Sequence, residues 1–271
     1  MIREEIEMYE DTPEESIYDD FHLYMYPNQP MGYNILGTRD SLQNINREKI
    51  LQFLEDHYTL DNMVLSVAGN ITRGRLEKIA RKYLGNITNN KRNKNREKPE
   101  PTKPFHTHIK KNFNQSHCIM GSYGYSRAEP KRYALALLNN ILGAAGMSSR
   151  LNMSIREKYG YVYQIGSVYA PYIDTGLFSV DFSTDQQYLD KCINIIFSEF
   201  RQMLGSAALM EENPSALMQS EARSYLDYER VIPMDEFFNN IEAVTAEDVQ
   251  EVANEVLDEA KMSILVYESK N

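Results

Sequence analysis

Eleven residues open the chain as MIREEIEMYED, and five of them are carboxylates. The spacing predicts a helix over about 2 to 25, and at about 100° per residue Ile2, Ile6 and Tyr9 form an apolar stripe on it. Glu5 lies on the edge of that stripe, three residues after Ile2 and four before Tyr9, whereas Glu4 and Glu7 point away. A carboxylate leaning toward an apolar face needs a cation, a metal or a set of donors if it is buried, because an unpaired buried charge is costly. At an edge it can also simply reach water. Both readings stay open for Glu5 on these residues alone.

Other chemistry-bearing residues are sparse. The five histidines are His22, His57, His106, His108 and His117, and neither H-x-x-E-H nor H-E-x-x-H occurs. His106 and His108 fall on one face of a predicted strand, a pair without a third metal ligand. His117 adjoins Cys118, but neighbours on a strand face opposite ways, so they do not form a nucleophile and base. Cys118 and Cys192 are the only cysteines, without CxxC spacing, so neither a disulfide framework nor a thiolate zinc site is indicated. The stretch LGAAGMSSR, 142 to 150, lacks the glycine spacing and lysine of a phosphate loop and suits a close approach of two helices.

These residues must be positioned by 271 residues that are 42% hydrophobic and 25% charged, enough for two domains with real cores. The net charge of −10 argues against nucleic-acid or anionic-membrane binding, which requires a surplus of Lys and Arg, and suits a cationic peptide better. No apolar run approaches the roughly 18 residues of a membrane span, and the acidic start is unlike a signal peptide. With two unpaired cysteines, the expectation is a reducing, cytoplasmic setting.

One stretch, NITNNKRNKNREKPEPTKP (86–104), is almost free of apolar residues and reads as a linker. It separates a domain over 1–90 from a second over 105–271. Before it, the pattern predicts a helix from Arg47 to Tyr58 capped by Asn46, a strand NMVLSVAG, and a helix from Thr72 that ends at Gly85. After it come strands FHTHIKKN and HCIMGSYGY, helices near 130–142 and 147–158, and strands YVYQIGSVYA and TGLFSVDFS. Further helices follow, then a final strand, MSILVYE.

The two halves contain an ungapped repeat. LQNINREKILQFLEDHYTLDNMVLSVAG, from Leu42, aligns with IEAVTAEDVQEVANEVLDEAKMSILVYE, from Ile241. Asn46 meets Thr245, Ile50 meets Val249, and Val67 meets Val266. Cap, helix and buried strand recur in one order. Because the second copy starts near Phe105, the repeat implies that this chain begins inside its first copy.

The stretch from IREEIEMYED through HYTLDNMVLSVAGNI, with its MYED, ILGT and DNMVLSVAGN signatures, resembles the pitrilysin/insulinase-type zinc peptidases, in their processing-peptidase subgroup. So does LLNNILGAAGMSSRLNMSIREKYGYVYQIGSVYAPYIDTGLFSVDF after the linker. The resemblance implies an α+β fold of duplicated two-layer sheet-and-helix domains, here with the first copy truncated. It implies zinc held by an H-x-x-E-H motif and a third ligand from a later helix, which corresponds to Glu5. Three protein ligands leave the fourth zinc position for the attacking water. Within REKYGYVY it implies that Arg156 and Tyr163 hold the substrate backbone and stabilise the oxyanion, with Tyr159 and Tyr161 as weaker candidates.

Because H-x-x-E-H is absent, the expectation is part of a zinc-dependent peptidase, inactive alone. The alternative is a non-catalytic, peptidase-like subunit that binds peptide or a partner. A homo- or hetero-oligomer with a peptidase-like subunit fits either. The chain departs from the family pattern at an abrupt join, Leu204–Gly205, which puts the helical packing around 200–215 in doubt.

Overall fold

The computed structural model describes residues 2–87, 97–144, 148–202 and 234–269. The middle of the linker, residues 145–147 of LGAAGMSSR and the join at Leu204–Gly205 lie outside the described residues.

The acidic opening is two helices, α1 (Ile2–Glu10) and α2 (Pro13–Met25), rather than the one expected over 2 to 25. Thr12 is extended, with φ −109° and ψ 95°. A residue before proline is steered away from the α region, while a proline without an N–H suits the first turn of a new helix. The hinge is short and tied: Thr12 Oγ1 donates to Met8 O at 2.9 Å, and its N–H donates to Tyr9 O at 3.1 Å.

Three helices follow: α3 (Arg39–Gln43), α4 (Arg47–His57) and α5 (Arg73–Leu84). Asn46 caps α4 as expected, its side chain accepting from Lys49 N at 2.9 Å. Gly85 follows α5 and donates its N–H to Arg81 O. The expected strand NMVLSVAG is an extended segment that joins no ladder among the described residues, and Met63, Leu65 and Val67 are exposed on it.

After the linker come β1 (His106–Lys111), β2 (Ser116–Gly124), α6 (Arg132–Leu142), a π-helical stretch (Asn152–Glu157), β3 (Val162–Pro171), β4 (Gly176–Thr184) and α7 (Leu189–Gln202). Then follow α8 (Met234–Glu242), α9 (Ala246–Val256) and β5 (Ser263–Ser269). The strands make one mixed sheet in the order β1-β5-β2-β4-β3, so β1 and β3 are its edges. Only β1 and β5 run parallel; β5, β2, β4 and β3 pair antiparallel, with Cys118 opposite Val266 and Phe182, and Met120 opposite Ile264 and Val180.

Both faces are covered, which is why β2 is buried continuously from Ser116 to Ser122. On one face α6, α7 and α9 pack their stripes, including Leu138, Ile196 and Val252, against Met120, Val180 and Val266. On the other, Ile17, Phe21 and Met25 of α2, spaced by four, pack against Ile119, Leu177, Leu265 and Tyr267. A Cβ on Gly121 would lie 2.3 Å from Phe178 O and 3.2 Å from Phe21 Cζ, so the missing side chain lets α2 lie on the sheet.

The chain divides into two compact units. Met1–Thr38, Lys98–Ala208 and Asn240–Asn271 form one; Arg39–Glu97 and Leu209–Asn239 form the other. Hence α1 and α2, which the sequence duplication assigns to the first copy, pack with the elements that follow the linker. No helix among the described residues is long and apolar enough to cross a membrane.

Candidate functional site

The site-bearing stretch starts where Leu151 and Ile155, both fully buried, anchor the π-helical turn to the core. Arg150 grips Glu199 on α7 through two nitrogens, each at 2.9 Å, and the buried Asn152 donates to Ser149 Oγ at 2.8 Å. Arg156 stands in the π-helical stretch itself. Such stretches cost helical hydrogen-bond regularity and occur frequently at functional sites. The Arg156 carbonyl accepts from Gly160 N at 2.9 Å. Gly160, at φ +63°, then turns the chain in the left-handed region that glycine adopts without strain.

Beyond that turn Tyr161 O accepts from Thr184 Oγ1 at 2.6 Å, and Val162 is buried. The register with β4 is broken between Val162 and Ile165, and this bulge leaves both Tyr163 and Gln164 exposed where simple alternation would bury one. Tyr163 is 86% exposed. The Arg156 side chain is 40% exposed, and its ion pair with the neighbouring Glu157 is long, at 4.0 Å. A rigid base thus presents a guanidinium and a phenol to solvent on one continuous stretch.

The other two tyrosines of the motif do something the sequence did not suggest. Tyr159 stacks on Tyr161 with centroids 5.2 Å apart and planes 12° apart, and Tyr161 stacks on Tyr188 at 4.5 Å and 15°. Lys191 lies over both Tyr161 and Tyr188, at 5.7 and 5.3 Å. Offset stacks and cation–π contacts each contribute on the order of 1 kcal/mol, so the column braces the turn between Arg156 and Tyr163. Tyr188 comes from the entry to α7, and no local pattern links it to Tyr161.

Glu5 lies on α1, in the same compact unit, but no hydrogen bond or ion pair joins it to Arg156 or Tyr163. Ile6 beside it is buried and Glu5 itself is exposed. No group of three His, Cys, Asp or Glu able to hold a metal occurs among the described residues. The described residues around Glu5 do not make up a metal site. His108 pairs through Nδ1 with Glu268 Oε1 at 2.7 Å. His117 Nδ1 meets Ser183 Oγ at 3.1 Å, and burial holds its imidazole below the usual range. Cys118 faces the opposite core, where burial pushes its thiol pKa up.

A single mixed sheet with three helices on one face and α2 on the other has counterparts among known proteins. The family described as the peptidase M16 inactive domain matches residues 44–212. A Bacillus subtilis protein called an uncharacterized zinc protease, YmxG, is 31% identical over the whole of this chain, which covers 70% of it. An uncharacterized zinc protease of Rickettsia bellii is 27% identical, across 98% of this chain and 68% of its own length. Among solved structures, a peptidase M16 inactive domain from Pseudomonas fluorescens superposes with a TM-score of 0.87 at 20% identity, covering 98% of this chain and 67% of that one. A chain of complex III2 from Candida albicans gives 0.84 at 17%, covering 98% and 69%. The chain belongs to the peptidase M16 family, the pitrilysin-type group that its sequence resembles.

Proposed function

We propose that this chain is the peptide-holding part of a zinc-dependent M16 peptidase. In this reading Arg156 fixes the backbone of an extended peptide through its planar fork of donors, and the Tyr163 O–H donates to the oxygen on which charge develops. Glu5 contributes one metal ligand to a site whose H-x-x-E-H residues are not in this sequence. Zinc bound there supplies Lewis-acid activation of water. The observation that carries the reading is the exposed Arg156 and Tyr163 on a braced turn, within a family whose members are named zinc proteases.

The experiment is a binding titration of the chain with a labelled, extended basic peptide, followed by anisotropy. Loss of a charge-assisted hydrogen bond on Arg156→Ala should weaken binding by roughly tenfold or more. Unchanged affinity in both Arg156→Ala and Tyr163→Phe would sink the assignment. Dialysed against buffer, the chain should retain no stoichiometric zinc.

A second reading, a non-catalytic peptidase-like subunit, is favoured by the match to the family described as the peptidase M16 inactive domain. Mixing the chain with a polypeptide bearing H-x-x-E-H separates the two. Peptide cleavage that depends on Glu5 supports the first reading; binding without cleavage supports the second.

A further inference from the structure

The apolar stripe of α2 holds it on the sheet, but hydrophobic burial is non-directional and does not by itself fix how far a helix slides or rolls. Directional contacts do. Tyr267 OH, on β5, donates to Asp20 Oδ2 at 2.6 Å, and the Tyr18 phenol is electrostatically coupled to the half-buried carboxylate of Asp181 on β4. At the end of α2, Met25 O accepts from Tyr123 OH and from Thr102 Oγ1. These bonds come from β5, β2 and the end of the linker and reach both the middle and the end of α2, so together they restrain its axial position and its rotation. A two-residue, hydrogen-bonded link then joins α2 to α1.

We infer that Asp20 and Tyr267, seconded by Tyr18 and Asp181, are positioning residues that key α1 to the sheet, so that Glu5 and the Arg156–Tyr163 stretch move as one body. This rests on the reading that Glu5 and Arg156/Tyr163 act on one peptide. The carboxylate and the peptide-holding donors would then approach an incoming metal site together, with their spacing set before any partner arrives.

The test measures that spacing directly. Spin labels at Glu5→Cys and Gln164→Cys report a distance distribution, because the native Cys118 and Cys192 are buried and stay unlabelled. A single narrow peak is expected. Tyr267→Phe, which keeps the ring and removes the donor, should cost that narrow peak, whereas Asp20→Asn, which keeps an acceptor, should retain it. Tyr18→Phe leaves the Tyr267 core untouched and should also broaden the distribution, which keeps the test informative if Tyr267→Phe fails to fold.

An unchanged width in both phenylalanine variants, or equal broadening in Asp20→Asn, would overturn the inference. Its failure is distinct from that of the functional reading. A retained narrow peak with no role for Glu5 in cleavage overturns the peptidase assignment and leaves the keyed helix standing; a lost peak in wild type does the reverse.

Discussion

Asn46 and Thr245 stand 199 residues apart and perform the same task. Asn46 Oδ1 accepts from Lys49 N at 2.9 Å, and Thr245 Oγ1 accepts from Asp248 N at 3.1 Å, each capping a helix three residues on. The helices they start differ in fate. On α9, Val249, Val252 and Ala253 are buried; on α4 their counterparts Ile50, Phe53 and Leu54 are 52%, 54% and 40% exposed.

Equivalent substitutions on those helices should therefore have unequal effects. Val252→Ser, which empties a packed site and buries a hydroxyl, is expected to destabilise by about 3 kcal/mol. Phe53→Ser should change stability by less than about 0.5 kcal/mol and lower the binding of a hydrophobic dye. Urea unfolding of both variants decides it, and a large loss in Phe53→Ser would contradict the exposure of α4.

Arg156→Ala and Tyr163→Phe should leave the unfolding free energy in urea within about 0.5 kcal/mol of the native chain's, since both side chains reach solvent. A peptide-binding defect in those variants would then be a property of the site rather than of folding. Tyr161→Ala should differ, because it removes the middle ring of the stack; a loss of unfolding free energy on the order of 1 kcal/mol or more is expected.

Stability should fall in mild acid through His117. Burial depresses its folded pKa below the ordinary 6.5, so the unfolded chain binds the proton first. The contribution of the neutral ring is fully present above 6.5 and is lost as the pH falls through the depressed folded value. His117→Gln should flatten the stability profile below pH 6.5, as read from denaturant midpoints across pH; an unaltered slope would exclude His117 as its source.

Cys118 and Cys192 should resist alkylation in the folded chain. Both are buried and their thiols are pushed toward the protonated form by desolvation, while the thiolate is the reactive species. Mass spectrometry after iodoacetamide should find two adducts only when denaturant is added. Rapid native labelling at Cys118 would contradict its place on β2 in the core it shares with α7.

Local signals carried most of this fold into the sequence. The caps at Asn46 and Thr245 and the glycine after Leu84 each express a preference satisfied within a few residues. The break at Thr12–Pro13 was also local, but the apolar stripe runs through it and hides it. The segment NMVLSVAG has strand composition, yet a strand is completed by a neighbour, which no composition supplies. The site divides likewise. Arg156 and Tyr163 came from a motif, whereas Tyr188 beneath Tyr161 and Tyr267 against Asp20 are meetings across 27 and 247 residues, visible only once the chain is folded.

The two rims of the sheet also bear on how copies of the molecule meet. On β3 the Ser167 N–H already donates to Gly143 O at 2.8 Å, the bulge bends the strand, and Pro171 offers no donor at its end. On β1 the outward positions are His106, His108 and Lys110, polar groups that resist pairing with a like strand. Both rims thus carry features that oppose strand addition, so crowding at high concentration should disfavour fibril growth through β1 or β3.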